Sequence, residues 1–248
     1  MKLVLTAGDA RPASREDNEA RGRRGRRDLS SLYGIENPDE GTLLRVIGDG
    51  EGKRGDALYP AYFALQGLHG IATPQAVPVL KRAIYYPKQH IKTDAFSLIQ
   101  DIAGTAEASF YLDTLRDPRY PYKGAPIWAL GRWGRAEAIG DAVRRAKTVL
   151  RKDDRHLRAS RFEIVCVVRL LARHPGDAQV QAFFDVLPSR WDRLKPHERW
   201  SIADLLRTAG VGGVWDDEPE AFPLGLHESI WDFGPESPRE VRVGPRAL

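Results

Sequence analysis

From about residue 55 to residue 210 the chain repeats one pattern: an apolar stripe at helical spacing, a Leu–Gly type stop, a short turn, and a second amphipathic stretch. The stops fall in Phe63-Ala64-Leu65-Gln66-Gly67, Leu98-Ile99-Gln100-Asp101-Ile102-Ala103-Gly104, Ala129-Leu130-Gly131 and Leu205-Leu206-Arg207-Thr208-Ala209-Gly210. Their central positions, with Leu171 between the third and the last, stand 34, 31, 41 and 35 residues apart. A period of this size marks stacked supersecondary units, each able to bury its apolar face only against its neighbours. The pattern predicts helices near 56–69 and 74–85, 89–103 and 106–116, 123–133 and 135–151, 154–173 and 177–187, and a last one over 196–209. Ala95, Leu98, Ile99 and Ile102 fall on one helical face, as do Val77, Leu80 and Ile84. Strand signals are nearly absent.

Local signals set the boundaries. Thr73-Pro74 reads as a cap followed by Pro at the first helical position, and Thr105 as the cap of the helix after it. Asn37-Pro38-Asp39-Glu40 reads as a further start with Asn37 as cap, opening a short helix over Thr42 to Ile47. Residues 1 to about 30 are poor in large apolar side chains and carry Arg21-Gly22-Arg23-Arg24-Gly25-Arg26-Arg27, so the expectation is a disordered basic arm over 1–36. Residues 37–210 form the repeat domain. After Gly210, the breaker Val211-Gly212-Gly213 and five prolines end the repeats, yet Trp215, Phe222, Leu224, Ile230, Trp231 and Phe233 are too apolar for a solvated tail. Residues 211–248 are therefore expected to form an irregular acidic and aromatic C-terminal cap.

Composition adds little to the fold and more to the setting. With 42% apolar and 29% charged residues the chain has a folded protein's composition, and no apolar run approaches the roughly 20 residues that span a bilayer. Met1-Lys2-Leu3-Val4-Leu5-Thr6 is too short an apolar stretch for a secretory signal. The one cysteine, Cys166, lies in Ile164-Val165-Cys166-Val167-Val168 and reads as a buried, unreactive thiol. A cytoplasmic location follows as the expectation. Charge is uneven: residues 214–240 hold eight acids against Arg239, which leaves the body basic.

Trp128-Ala129-Leu130-Gly131-Arg132-Trp133-Gly134-Arg135-Ala136-Glu137-Ala138, followed by Val149-Leu150 and Asp153-Asp154, resembles the consensus of the HEAT-like (PBS-lyase-type) helical repeat family. The resemblance implies an all-α fold: a right-handed α-α superhelix of four to five helix pairs. It implies no single activity, since that family includes scaffolds, lyases, hydroxylases and DNA-repair proteins.

The candidate chemistry follows from residue types. Arg151, Arg155 and Arg158 fall at helical spacing within a basic run, and Trp133 and Trp200 are aromatic anchors beside the stops. These five are the expected binding residues of a non-enzymatic scaffold that presents a rigid concave helix row to a macromolecular partner, a protein first of all, in an adaptor or immunity-type role. The alternative is a nucleic-acid-binding protein. Trp200-Ser201-Ile202-Ala203-Asp204 has the Trp and Asp spacing of HEAT-like glycosylases acting on alkylated bases, which implies Asp204 as the catalytic residue. His197-Glu198 and His227-Glu228 are similar to the His-Glu pairs of HEAT-like di-iron hydroxylases. That site needs four pairs, and a helix-start dipole accounts for Glu198 without a metal. Gly48-Asp49-Gly50-Glu51-Gly52-Lys53 lacks the spacing of a phosphate loop and reads as a turn. No zinc pattern or nucleophile elbow occurs, and neither a cofactor, a metal nor a membrane is called for.

Overall fold

The computed structural model describes residues 15–151 and 163–218, and every regular element in them is helical. The helices are α1 (Arg15–Tyr33), α2 (Glu40–Gly48), α3 (Tyr59–Leu68), α4 (Val77–Ala83), α5 (Gln89–Ala103), α6 (Ala108–Arg116), α7 (Gly124–Arg132), α8 (Ile139–Arg151), α9 (Glu163–Leu171), α10 (Ala178–Val186) and α11 (Pro196–Thr208). The predicted boundaries hold within a few residues, except that the predicted start at 154 lies outside the described residues. Several stops end at a glycine with positive φ, a conformation that a side chain disfavours: Gly70 (φ 81°), Gly104 (51°), Gly134 (62°) and Gly210 (71°). After the first three of these the chain makes a 3-10 turn (Pro74–Ala76, Gly104–Glu107, Ala136–Ala138) and runs into α4, α6 or α8. No helix among the described residues is long and apolar enough to cross a membrane.

The helices sort into two series. α1 packs on α3, and α3, α5, α7, α9 and α11 each touch the next in that odd-numbered series. In the even-numbered series α2 touches α4 and α8 touches α10. Polar links join the rest: Lys81 on α4 meets Glu107 before α6 at 2.6 Å, and Arg116 on α6 meets Asp141 on α8 at 2.8 Å. Successive hairpins α2–α3, α4–α5, α6–α7 and α8–α9 pack side by side. Between the series runs one continuous apolar core, from Leu29 and Leu43 through Ile99, Leu130 and Val167 to Leu206 and Trp215.

The expected disordered arm is corrected over 15–33. These residues form α1, and the glycines explain why: Gly22 and Gly25, three positions apart, lie on one face and let two backbones approach. A Cβ at Gly22 would stand 2.0 Å from the His69 carbonyl oxygen, and one at Gly25 would stand 2.4 Å from the Gly67 nitrogen. Leu29 is fully buried by the same contact, and the Arg26 guanidinium donates to the Gly67 carbonyl at 2.6 Å. A composition count misses burial achieved by backbone. Residues 1–14 lie outside the described residues.

Two caps are also corrected. Asp39, not Asn37, caps α2, its carboxylate accepting from the Thr42 N–H at 2.8 Å, while Asn37 sits at φ 44°. Thr105 caps nothing: it lies inside the 3-10 turn Gly104–Glu107, and α6 starts at Ala108 without a side-chain cap. Thr73 does cap its turn, accepting from the Gln75 N–H. Gly48 to Lys53 form a turn closed by backbone bonds such as Glu51 N–H to Gly48 O at 3.0 Å. Beyond α11, residues 211–218 fold back onto the end of the core. Trp215 lies 5.9 Å from the Trp191 ring and donates to the Val211 carbonyl at 2.7 Å, and Arg207 holds the Glu218 carbonyl at 2.6 Å. Trp191 itself sits buried in a 3-10 turn (Leu187–Arg193). The rest of the expected cap, 219–248, lies outside the described residues.

Candidate binding face

Along each odd-numbered helix, polar and aromatic residues recur three or four positions apart, so that each set shares one face: Tyr62 and Gln66 on α3, then His90, Asp94, Ser97 and Asp101 on α5. α7 continues the row with Trp128 and Arg132, and α9 with Arg169. Contacts between these side chains run from one odd helix to the next. Arg21 of α1 donates to Asp94 at 2.7 Å and also to Gln66, whose amide donates in turn to Asp94. The His90 and Tyr62 rings lie 6.1 Å apart, and the Arg169 guanidinium stacks 3.6 Å from the centre of Trp128. The result is a polar and aromatic ladder crossing α1, α3, α5, α7 and α9.

Burial sets its electrostatics. Asp94 is only 4% exposed, and desolvation pushes its carboxyl above the usual range against the pull of Arg21 and the hydrogen bonds from Arg21 and Gln66. Asp101 is raised by burial as well, with Arg132 the strongest opposing charge. Burial raises Tyr62 too, and the Asp94 charge adds to it. His69 is enclosed beneath α1, where desolvation and then Arg21 bring its imidazole down to about 3, so it is neutral at physiological pH. Near the start of α9, Glu163 is 3% exposed and bound by Arg145 at 2.6 Å and by the Lys123 N–H at 3.1 Å.

Of the residues singled out from sequence, Trp133 and Arg151 are held apart. Trp133 is the C-cap of α7, half-buried and stacked on Tyr111 of α6 at 5.6 Å with an interplanar angle of 16°. Arg151 lies at the far end of α8, a helix of 13 residues, which separates it from that turn by roughly 20 Å. Trp200 is 4% exposed in α11, a packing position, and Asp204 follows one turn later, half-buried. Arg155 and Arg158 lie outside the described residues. Sequence reasoning passed over Gln66, Asp94 and Arg169, and it placed Arg21 only in the basic run and Trp128 only beside a stop. The polar stripe at 90, 94, 97 and 101 was visible in the spacing, whereas its partner at position 21 was not.

The remaining chemistry is structural. Glu198 accepts from the Lys195 N–H at 2.9 Å and so caps α11, while His227 and Glu228 lie outside the described residues. Among the described residues no group of three or more His, Cys, Asp or Glu is placed to hold a metal ion. A shallow cleft of about 590 Å³ opens between α10 and the 210–215 turn, lined by Phe184, Val211, Trp215 and two prolines. Cys166 is buried, and its thiol is pushed up to about 12 by desolvation and then by Glu163. We expect native protein to resist a thiol-specific reagent at pH 8 for hours and denatured protein to react within minutes; equal rates would show that α9 opens freely. No family model, curated protein or solved structure matches the chain.

Proposed function

We propose that the chain is a HEAT-like α-solenoid, a right-handed superhelix of helix pairs, that works as a non-enzymatic scaffold and binds a partner protein across its odd-numbered helices. The contact pattern supports the architecture, since α3, α5, α7 and α9 each touch the next odd helix as well as the hairpin mate before it. One observation carries the function: the ladder from Arg21 through Asp94 to Trp128 and Arg169. Buried ion pairs contribute little net stability, because desolvation offsets the Coulombic gain. The Arg21–Asp94 pair, set in a row of polar and aromatic side chains on a face that an apolar surface would hold equally well, is therefore better explained by recognition than by folding. Aromatic and Arg side chains on a rigid face are also the groups that anchor protein interfaces, losing little ordering entropy on binding. The thiol at Cys166 suits a reducing, cytoplasmic setting.

The test is a photo-crosslinking amino acid placed in native cells at Ser97 or Arg173, beside the ladder, or at Arg144 or Thr148 on α8. The expected result is one defined adduct from the first pair and none from the second. Adducts from α8 alone would overturn the reading. Added salt separates the nucleic-acid alternative: a phosphate binder loses affinity steeply between 50 and 200 mM, on the order of 10³-fold or more, whereas an aromatic protein interface changes little.

A further inference from the structure

We infer that the cleft beside α10 receives a basic side chain, arginine or lysine, from an apolar peptide segment of a partner, with Asp185 as the counter-charge. Gln181, Phe184, Asp185 and Pro188 recur three or four positions apart and form one wall, while the turn from Gly210 to Gly213 and Trp215 form the other. The volume of about 590 Å³ is that of an ordinary ligand pocket.

The cleft is built before any partner arrives. The Phe184 and Trp215 rings stand 6.4 Å apart at 62°, and the indole N–H is held by the Val211 carbonyl at 2.7 Å. A Cβ at Gly213 would stand 2.4 Å from the indole, so glycine is what lets the turn lie against that ring. Val186 and Val214, 45% and 43% exposed, adjoin the lining residues in the chain and carry apolar surface beyond the cleft itself.

Charge decides the occupant. The two segments that supply every lining residue, 174–188 and 208–218, hold five acids and no Lys or Arg. Three of the five serve the fold. Glu218 meets Arg199 at 3.4 Å, and Asp177 and Asp216 accept from the backbone N–H groups of Gln179 and Gly213. Asp185 is different: it is exposed and makes no hydrogen bond or ion pair among the described residues. It also stands in the last turn of α10, where the helix dipole disfavours an acid and no basic residue offsets it. Folding gains nothing from a carboxylate at that position. A cation from outside does, because its aliphatic stem packs on Phe184 and the prolines while its charged head reaches Asp185. The site lies on the even-numbered side, apart from the ladder, and does not rest on the protein-binding reading of that face.

The experiment titrates the full chain with a capped pentapeptide that alternates leucine and arginine, following backbone amide and indole N–H shifts by NMR. The expected result is saturable shifts at residues 184–187 and 210–214 and at the Trp215 indole. The same peptide with glutamate in place of arginine binds at least about tenfold more weakly, and Asp185→Lys weakens the arginine peptide by a similar factor. Because Asp185 is exposed and unpaired, that variant keeps the wild-type Tm. Asp113→Lys, the same change of charge at an exposed position of α6, binds like the wild type. Absence of saturable shifts at the cleft, equal affinity for the two peptides, or undiminished binding by Asp185→Lys would overturn the inference. So would a dimer of the unliganded chain in sedimentation that Asp185→Lys abolishes, which would give the cleft to a second copy. Binding that appears only after removal of residues 219–248 would overturn it too, by giving the cleft to the chain itself.

Discussion

Replacing Gly25 with alanine is expected to detach α1 from α3 and to lower stability by about 3 kcal/mol. Two effects oppose each other. Alanine favours the helical state over glycine by about 1 kcal/mol, which on an exposed helix would stabilise. Against this, the new Cβ would stand 2.4 Å from the Gly67 nitrogen, 2.6 Å from Gln66 Cβ and 2.7 Å from the Gln66 carbonyl carbon. Two of those atoms are backbone and cannot rotate away. Overpacking against flexible side chains costs about 1–3 kcal/mol, and here α1 itself must move outward. Leu29 then loses its burial, worth about 2 kcal/mol, and Arg21 loses Asp94. The clash dominates. For a chain of this size the Tm should fall by roughly 6–12 °C, and trypsin should cut at Arg23, Arg24 and Arg27 under conditions that spare the wild type. Gly41→Ala is the control: a Cβ there meets nothing closer than Asp39 at 3.8 Å, so that variant should be neutral or slightly more stable. A Gly25→Ala protein as stable and as trypsin-resistant as the wild type would mean that α1 is not seated as described.

The same glycines show what sequence can and cannot convey. Helix positions were legible because apolar spacing is a local property: Val77, Leu80 and Ile84, or Ala95 and Ile99, can face a core only in a helix, and all five are buried. The Leu–Gly stop, by contrast, mixes two physical roles. Gly104 and Gly210 end helices at positive φ, but Gly67 and Gly131 lie inside α3 and α7, where a Cβ on Gly131 would come 3.3 Å from Leu170 Cα. Only the three-dimensional neighbour separates a terminator from a packing glycine. The segment from Arg21 to Arg27 misled for a related reason. Its low apolar content signals disorder when burial is sought in side chains, whereas its burial comes from two glycine backbones. Once α1 is docked, Arg21 and Arg26 serve as internal hydrogen-bond donors rather than a free basic arm.

The candidate site was less legible than the fold because it depends on adjacency between helices about 30 to 70 residues apart. Trp133 and Arg151 were selected by residue type, and the turn and length of α8 hold them at opposite ends of that helix. Asp94 carried no motif at all. Its importance arises from Gln66, 28 positions earlier, and Arg21, 73 positions earlier, which close around it. Such cross-helix convergence is what packed helices make easy and what a linear pattern conceals.

Removing the cation from that convergence should have the second large effect. Arg21→Met leaves the Asp94 carboxylate almost fully enclosed with Gln66 as its remaining partner. Breaking a buried pair from one side costs about 3–5 kcal/mol; the Arg21 side chain is 37% exposed and partly screened, which brings the expectation to about 2–3 kcal/mol at neutral pH. Asp94→Asn removes the charge instead, keeps groups able to bond to Arg21 and Gln66, and should cost less than about 1 kcal/mol. The dependence on pH follows from the direction of the shift. The Asp94 carboxyl in the folded chain lies above its ordinary value of 3.8, so the folded state binds the proton more tightly than the unfolded chain. Its contribution to stability is then full below about 3.8 and is lost as the pH rises through the folded-state value. Without Arg21 the carboxyl shifts further upward and the loss at neutral pH grows. The difference in unfolding free energy between wild type and Arg21→Met should therefore be largest near pH 7 and shrink toward pH 4, and Asp94→Asn should show no such slope in urea melts. An Asp94→Asn deficit equal to that of Arg21→Met, or an Arg21→Met deficit independent of pH, would show that the carboxylate is not the group Arg21 compensates.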